Sequence, residues 1–304
     1  MEKSSGLRFL GMNIMKSFLF ALLILIPSFL WSQGFIDIAR LDATRGLMGN
    51  DYDELNGLNL ALQFPILLPS KDAILTGFSM EGTGVEDVFS DYKARNITLS
   101  LGANINLKEG RPLTVATFHR MNSDQFTING SAYQFALVAL YTYKKTENAE
   151  FRLGFYTNTE FMGQLVTPLF GIDWKISPKV RFYGVLPATG TLSFQQNDKW
   201  YIGADFLGVF QTYRQPADGD FYLQRAVNLL SFFSDYYLTD NIVFNAKIGF
   251  LLGSGYKLFE EGDQVDWALN LVKFGDDRTE LDRIKTDGLV AKAGLVFRFN
   301  LEKK

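Results

Sequence analysis

Residues Gly288 to Asn300 read GLVAKAGLVFRFN. Leu289, Ala291, Ala293, Leu295, Phe297 and Phe299 fall on one face, and Lys292, Gly294, Arg298 and Asn300 on the other. A period of two over this length predicts a strand. One face is wholly apolar and ends in two aromatic rings, whereas the other carries two cations. Such a strand separates an apolar medium from a wet interior, the position of a wall strand in a transmembrane β-barrel.

The pattern recurs with the same polarity. From Asn96 to Leu107, the apolar residues Ile97, Leu99, Leu101, Ala103, Ile105 and Leu107 alternate with Asn, Thr, Ser and Gly. Ile242, Phe244, Ala246, Ile248, Phe250 and Leu252 oppose Asn241, Asn245, Lys247 and Gly249, and Tyr133, Phe135, Leu137, Ala139, Tyr141 and Tyr143 form a third apolar face. Counting segments predicts an all-β fold, an antiparallel transmembrane β-barrel of about fourteen strands with both ends on the periplasmic side. Val180 to Gln195, broken by Pro187-Ala188-Thr189-Gly190, is the place where the count turns, and twelve is the alternative.

Composition agrees. Hydrophobic residues make up 47% of the 304, aromatics 15%, and Phe alone counts 28. Mean hydropathy is nevertheless +0.01, so the apolar residues are interleaved with polar ones. The one unbroken apolar run, Phe18 to Trp31, follows Lys3, Arg8 and Lys16. A basic segment followed by a short apolar core predicts a signal peptide over residues 1–32, cleaved near Ser32-Gln33, with a membrane anchor as the alternative. Residues 33–304 then form a single barrel domain. Cleavage would take 30 basic and 33 acidic residues to 27 and 32, a net of −5, which argues against a nucleic-acid partner. The absence of cysteine excludes thiolate metal sites, and no cofactor is expected.

Short turn signals alternate with longer polar stretches. The short ones include Leu68 to Asp72, Lys108 to Pro112, Lys145 to Asn148, Ser177 to Lys179, Gln196 to Lys199 and Thr239 to Asn241. The longer ones are Gly46 to Asn56, Thr83 to Lys93, Asn122 to Ser131, Gln215 to Arg225 and Gly253 to Asp287. Short periplasmic turns and long outer loops are the asymmetry of outer-membrane barrels. Tyr141, Tyr143, Trp174, Trp200, Tyr236 and Phe299 lie beside the short turns or at the terminal end, where a headgroup-level aromatic girdle belongs.

Lys292-x-Gly294-x-x-Phe297-x-Phe299 resembles the last-strand signal that outer-membrane barrels present to their assembly machinery. Gly275-Asp276-Asp277-Arg278, Asp287-Gly288-Leu289, Pro168-Leu169-Phe170-Gly171 and Leu186-Pro187 are similar to an uncharacterised family of Gram-negative outer-membrane β-barrels, over roughly residues 34–300. The resemblance implies the cell outer membrane of a Gram-negative bacterium, with membrane lipid and the barrel assembly machinery as partners, and it brings no catalytic residues. Leu301 to Lys304 depart from the pattern, which ends on the final aromatic.

Lumen-lining candidates carry both signs: Arg152, Glu160, Asp173, Arg181, Asp205, Lys247, Lys292 and Arg298. They would form a charged constriction that selects solutes, or inward ion pairs that plug a narrow barrel. The stretch Gly253 to Asp287 holds nine acidic and five basic residues, and Val265, Ala268, Leu269 and Val272 fall at helical spacing, predicting a short amphipathic helix. It lacks the spacing of an EF-hand, so no metal site is assigned. His119 is the only histidine and lies near Ser123 and Asp124, so a Ser-His mechanism acting on outer-leaflet lipid would have to use it. Three functions follow in order: a pore or transporter for small solutes, hydrophobic ones included, gated by the stretch 253–287; a closed structural or adhesive barrel binding partners through its outer loops; and a lipid-modifying enzyme. No catalytic residues are assigned, and the first reading makes the chain no enzyme.

Overall fold

A computed structural model describes residues 35–49, 54–70, 72–86, 91–108, 111–216, 219–270 and 272–300. The stretch read above as a signal peptide and residues 301–304 lie outside the described residues. The wall begins with β1 (Phe35–Gly49), β2 (Glu54–Leu67), β3 (Ala73–Glu86), β4 (Asp91–Lys108), β5 (Arg111–Ser123), β6 (Tyr133–Thr146) and β7 (Ala149–Glu160). It continues through β8 (Gly163–Ser177), β9 (Val180–Leu186), β10 (Thr189–Asn197), β11 (Trp200–Gln215), β12 (Phe221–Tyr237) and β13 (Ile242–Leu251). Four short strands follow, β14 (Gly255–Glu260), β15 (Trp267–Leu269), β16 (Val272–Phe274) and β17 (Asp282–Lys285), before the last wall strand, β18 (Gly288–Asn300).

Strands β1 to β13 pair in sequence order, and β18 closes the ring. Ala293 faces Ala43 of β1 on one side and Ala246 of β13 on the other. The wall is therefore a closed antiparallel barrel of fourteen strands, and Val180 to Gln195 contributes two of them. Closure leaves no unpaired edge along the paired rows, as backbone in an apolar medium requires.

Side chains alternate across this wall with inverted polarity. Leu99 is 57% and Phe232 68% exposed on the outside, whereas Asn122 and Arg120 inside are 0% and 1% exposed. Polar groups thus face the interior and hydrocarbon faces outward, the reverse of a water-soluble sandwich. Phe35 pairs with Asn300, so both described termini lie at one end. The tight turns lie there too. Asn197 Oδ1 accepts from Lys199 N at 2.9 Å, and Thr239 Oγ1 accepts from Ile242 N at 3.0 Å, the local side-chain-to-backbone bonding that turns favour.

At the opposite end the structure departs from the sequence reading. Most of Gly46 to Asn56 and Thr83 to Lys93 is strand, so β1 to β4 simply extend the wall. The described residues of the stretch Gly253 to Asp287 contain no helix. Trp267 pairs with Phe274 and Leu269 with Val272, and Asn270 adopts φ 55° at the tip of this hairpin. Its rings stack with centroids 4.2 Å apart.

That hairpin repairs an uneven wall. Pairing of β8 with β9 stops at Phe170 and Leu186, and pairing of β10 with β11 stops at Thr189 and Leu207. The upper parts of β8 and β11 therefore lose their wall neighbours. β15 takes the vacant place on β8 in parallel register, with Ala268 opposite Leu165, while Val265 N and Asn270 N donate to Met162 O and Val166 O. The upper part of β11, freed from β10, leans across the mouth and meets β5, where Arg214 pairs with Ser123.

Candidate functional site

The interior is a ladder of ion pairs around a cavity. At the terminal end Arg298 donates to Asp37 at 2.6 Å and Asp235 at 2.9 Å, and its guanidinium lies 3.9 Å from the Phe35 ring centroid. Arg40 bonds Asp37 at 2.9 Å and Asp42 at 3.3 Å, and Lys292 reaches the other oxygen of Asp42 at 3.3 Å. Lys247 bonds Asp205, which also accepts from Ser231 Oγ. Arg181 grips Asp173 through Nε and Nη2, each at 2.8 Å, and Arg152 reaches Glu150 at 3.3 Å. Farther up, Arg225 bonds Glu81 at 2.8 Å.

Seven of the eight sequence-chosen lumen residues thus sit inside the barrel in ion pairs. The eighth, Glu160, faces inward near the opposite mouth and is bound by hydrogen-bond donors instead. Sequence reasoning missed Asp37, Arg40, Asp42, Glu81, Arg120, Arg225 and Asp235. For β1 the cause is a register shift between Asp37 and Ala39, which breaks the alternation and lets Asp37 and Arg40 both turn inward. For Arg120 the signal was available, because it shares the inward parity of Phe118 and Asn122.

Two connected spaces occupy this interior. A mouth of about 490 Å³ at the terminal end is lined by Phe35, Arg181, Tyr183, Phe233, Asp235 and Arg298. A deeper cavity of about 300 Å³ shares Phe35, Tyr183, Phe233, Asp235 and Arg298 with it and extends to Arg120, Arg152 and Lys292.

The other end is closed by the top of β11 and β12. Glu160 Oε2 accepts from Thr212 N at 2.8 Å and Thr212 Oγ1 at 2.6 Å. Gln134 and Asn122 donate to Thr212 O at 3.2 and 3.1 Å, and Asp124 N to Arg214 O at 2.9 Å. Side chains above the lumen pack tightly, with Phe210, Tyr222, Phe259 and Ala268 in one apolar cluster with Phe118, Tyr156 and Leu165. The stretch 253–287 lies on this tip rather than in the lumen. Tyr222 donates to Asp263 O at 2.7 Å, Arg278 donates to the Tyr222 hydroxyl at 2.9 Å, and Glu261 N donates to Asp220 O at 2.7 Å. Farther along, hydrogen bonds from Arg283 and Lys257 hold the Glu280 carboxyl down to about 2.

The girdle candidates Tyr141, Tyr143, Trp174, Trp200, Tyr236 and Phe299 are all exposed on the outer face. Trp200 and Tyr236 are cross-strand neighbours. In the terminal strand Lys292 faces the lumen, Phe297 and Phe299 face outward, and Gly294 lies opposite Asp42. His119 is on the outer face too. Its Nδ1 pairs with the Tyr133 hydroxyl at 2.9 Å, whereas Ser123 Oγ donates to Asp124 at 3.0 Å, so the sequence neighbours are engaged elsewhere. Among the described residues no group of three or more His, Cys, Asp or Glu side chains is arranged to hold a metal ion.

An apolar exterior, a charged interior and full closure define the chain as a transmembrane β-barrel. No protein-family model and no curated protein matches it. Among solved structures it is similar to the NanC porin, at 10% identity over 84% of this chain and 98% of that one, with a TM-score of 0.38. It is also similar to OprB of Pseudomonas putida, at 8% identity over 95% and 97% with a TM-score of 0.41. The translocator domain of the autotransporter NalP from Neisseria meningitidis follows, at 10% identity over 87% and 88% with a TM-score of 0.36.

Proposed function

We propose that the chain is an outer-membrane transporter for small solutes, captured in a closed state. The observation that carries this reading is a polar cavity continuous with a wide mouth at the terminal end and stopped at the other by a strand top that is not part of the wall. Interior ion pairs alone would stiffen a structural barrel. A closure made by a strand top outside the wall, held by hydrogen bonds between β11 and β5 to β7, supports passage. The apolar belt supports a membrane position, and strands as the spanning elements favour the outer membrane of a Gram-negative cell, where lipid and the assembly machinery would be the partners. In this reading the gate is the β11–β12 tip, and residues 253–287 are the clamp upon it.

Single-channel conductance of the refolded protein, before and after deletion of Glu260 to Lys285, tests the reading. Current that appears or loses its gating on deletion supports it. Silence from both proteins, each showing the heat-modifiable migration of a folded barrel, sinks it in favour of a closed barrel that works through its outer surface. That second reading has its own support in Ile128, Trp267 and Val272, apolar side chains exposed at the loop end.

A further inference from the structure

A groove of about 1,100 Å³ opens on the outer face of the wall, across β13, β18 and β1 to β4. Its floor is a cross-strand row in which only Leu58 is large. Ala246 pairs with Ala293, Ala293 with Ala43, Ala43 with Leu58 and Leu58 with Gly82. Ala43 and Ala293 are exposed there, and Leu41, Leu60 and Met80 of the next row toward the termini stand beside them.

Toward the loop end the outward rows change chemistry. Gly82 pairs with Arg95, which ends the floor row on β4. The following row places Arg45 beside Asn56, Asn56 beside Gly84 and Gly84 beside Lys93. The row beyond it is acidic, with Glu54 beside Glu86 and Glu86 beside Asp91. Along the strands the order is therefore hydrocarbon, cation, anion.

These six charged residues line the groove and none of them is buried; the side chains of Arg45 and Lys93 are 62% and 51% exposed. Two ion pairs use four of them, Arg45 with Glu54 at 2.6 Å and Lys93 with Asp91 at 2.7 Å. Arg95 and Glu86 are left over. Arg95 donates to the carbonyl oxygens of Thr83 and Ala94 and lies 5.8 Å from the Phe126 ring centroid, with no carboxylate at ion-pair distance among the described residues. Glu86 is flanked by Glu54 and Asp91. Lys93 attracts it through space but is hydrogen-bonded to Asp91, and Arg95 in turn repels Lys93. Like charges side by side across a sheet cost stability, and a ligand bearing both signs would relieve Glu86 and Arg95 together.

We propose that the groove holds a zwitterionic membrane lipid whose head carries a phosphate next to a primary ammonium. An acyl chain lies on Ala246, Ala293 and Ala43, the phosphate accepts from Arg95, and the ammonium donates to Glu86. Chain, phosphate and ammonium follow one another in such a lipid in the order of the rows. An anionic lipid would supply the phosphate and leave the acidic row uncompensated. The planar donors of arginine meet phosphate oxygens in a fixed geometry, and an ammonium has three donors to share among carboxylates. This site goes beyond the transport reading, since it needs only the membrane position of the wall and stands whether or not the lumen conducts.

Native mass spectrometry of the refolded barrel, released from non-ionic detergent after titration with dioleoyl phosphatidylethanolamine, counts the retained lipid. Dioleoyl phosphatidylglycerol and the phosphorylated glycolipid lipid A serve as competitors. Wild type is expected to retain one phosphatidylethanolamine that neither competitor displaces at equal concentration. Arg95→Gln should weaken retention by about tenfold or more, the usual loss when a hydrogen bond to a charged group is removed. Glu86→Gln should weaken retention of phosphatidylethanolamine but not of phosphatidylglycerol, a change of selectivity that misfolding would not produce. Ala293→Phe fills the floor from the lipid side and should abolish retention, whereas Ala139→Phe on the far wall should not. Undiminished retention by folded Arg95→Gln or Ala293→Phe would overturn the proposal. So would phosphatidylglycerol or lipid A held as tightly as phosphatidylethanolamine, or a wild-type dimer that Ala293→Phe dissociates.

Discussion

Thr212 places its backbone N–H and its hydroxyl on the same oxygen of Glu160, at 2.8 and 2.6 Å. One carboxylate thereby fixes a strand top that has left the wall. Glu160→Ala would orphan both donors, at a cost of about 1–3 kcal/mol. That corresponds to roughly 5- to 150-fold in the ratio of closed to open states. Open probability in a planar bilayer should rise accordingly, and an unchanged trace would show that the tip is held elsewhere.

The same tip can be locked. Arg214 and Ser123 face each other in parallel register, in a chain without cysteine. The pair Ser123→Cys and Arg214→Cys should give a barrel that stays shut when oxidised and opens with wild-type frequency when reduced. Conductance indifferent to reductant would remove β11 from the gate.

Arg298 holds Asp37 and Asp235 together at the terminal mouth. Arg298→Met leaves two carboxylates facing each other, and breaking a buried pair in this way typically costs about 3–5 kcal/mol. Urea titration of the refolded barrel should show the loss. The triple variant with Asp37→Asn and Asp235→Asn should recover much of it.

Gly294 makes room for Asp42, since a Cβ at this position would be 2.5 Å from Leu41 O and closer still to the Asp42 carboxylate. Gly294→Val should push Asp42 away from Arg40 and Lys292 and lower the yield of heat-modifiable protein. Gly294→Ala should do so less, and the comparison would give the glycine of the terminal motif a packing role.

Glu280 titrates at about 2 in the folded protein, below the ordinary 4.5 of a glutamate. A depressed carboxylate stabilises the clamp fully above the unfolded value, and the stabilisation is lost as pH falls from about 4.5 towards 2. Protection of the amides of residues 255–260 and 282–285, taken relative to the intrinsic exchange rate at each pH, should fall across that window in wild type and change little in Glu280→Gln.

Wall strands were legible because a membrane barrel writes one rule twice per residue pair: apolar out, polar in. Leu99 beside Ser100 and Phe244 beside Asn245 follow it in the structure. The rule fails wherever the chain leaves the wall. Residues Tyr222 to Arg225 are buried on both faces because they pair with β11 and β14 over the mouth, and only from Leu229 does β12 pair with β13. The helix reading of 265–272 failed for a related reason. Val265 and Ala268 are buried while Leu269 and Val272 are exposed, so the apolar spacing marks the two sides of a hairpin rather than one side of a helix. The site was legible as a list of inward charges but not as a set of partners, because cross-strand rows depend on register.

The vacancy above β9 and β10 also ties two tasks to one piece of sequence. Its cover, Trp267 to Leu269, pairs with β8, and Gly288 to Asn300 joins β1 to β13. A wall made of β1 to β13 alone would carry both an open seam and a window onto the surrounding lipid between β8 and β11. The chain after β13 therefore seals the sheet in two places at once.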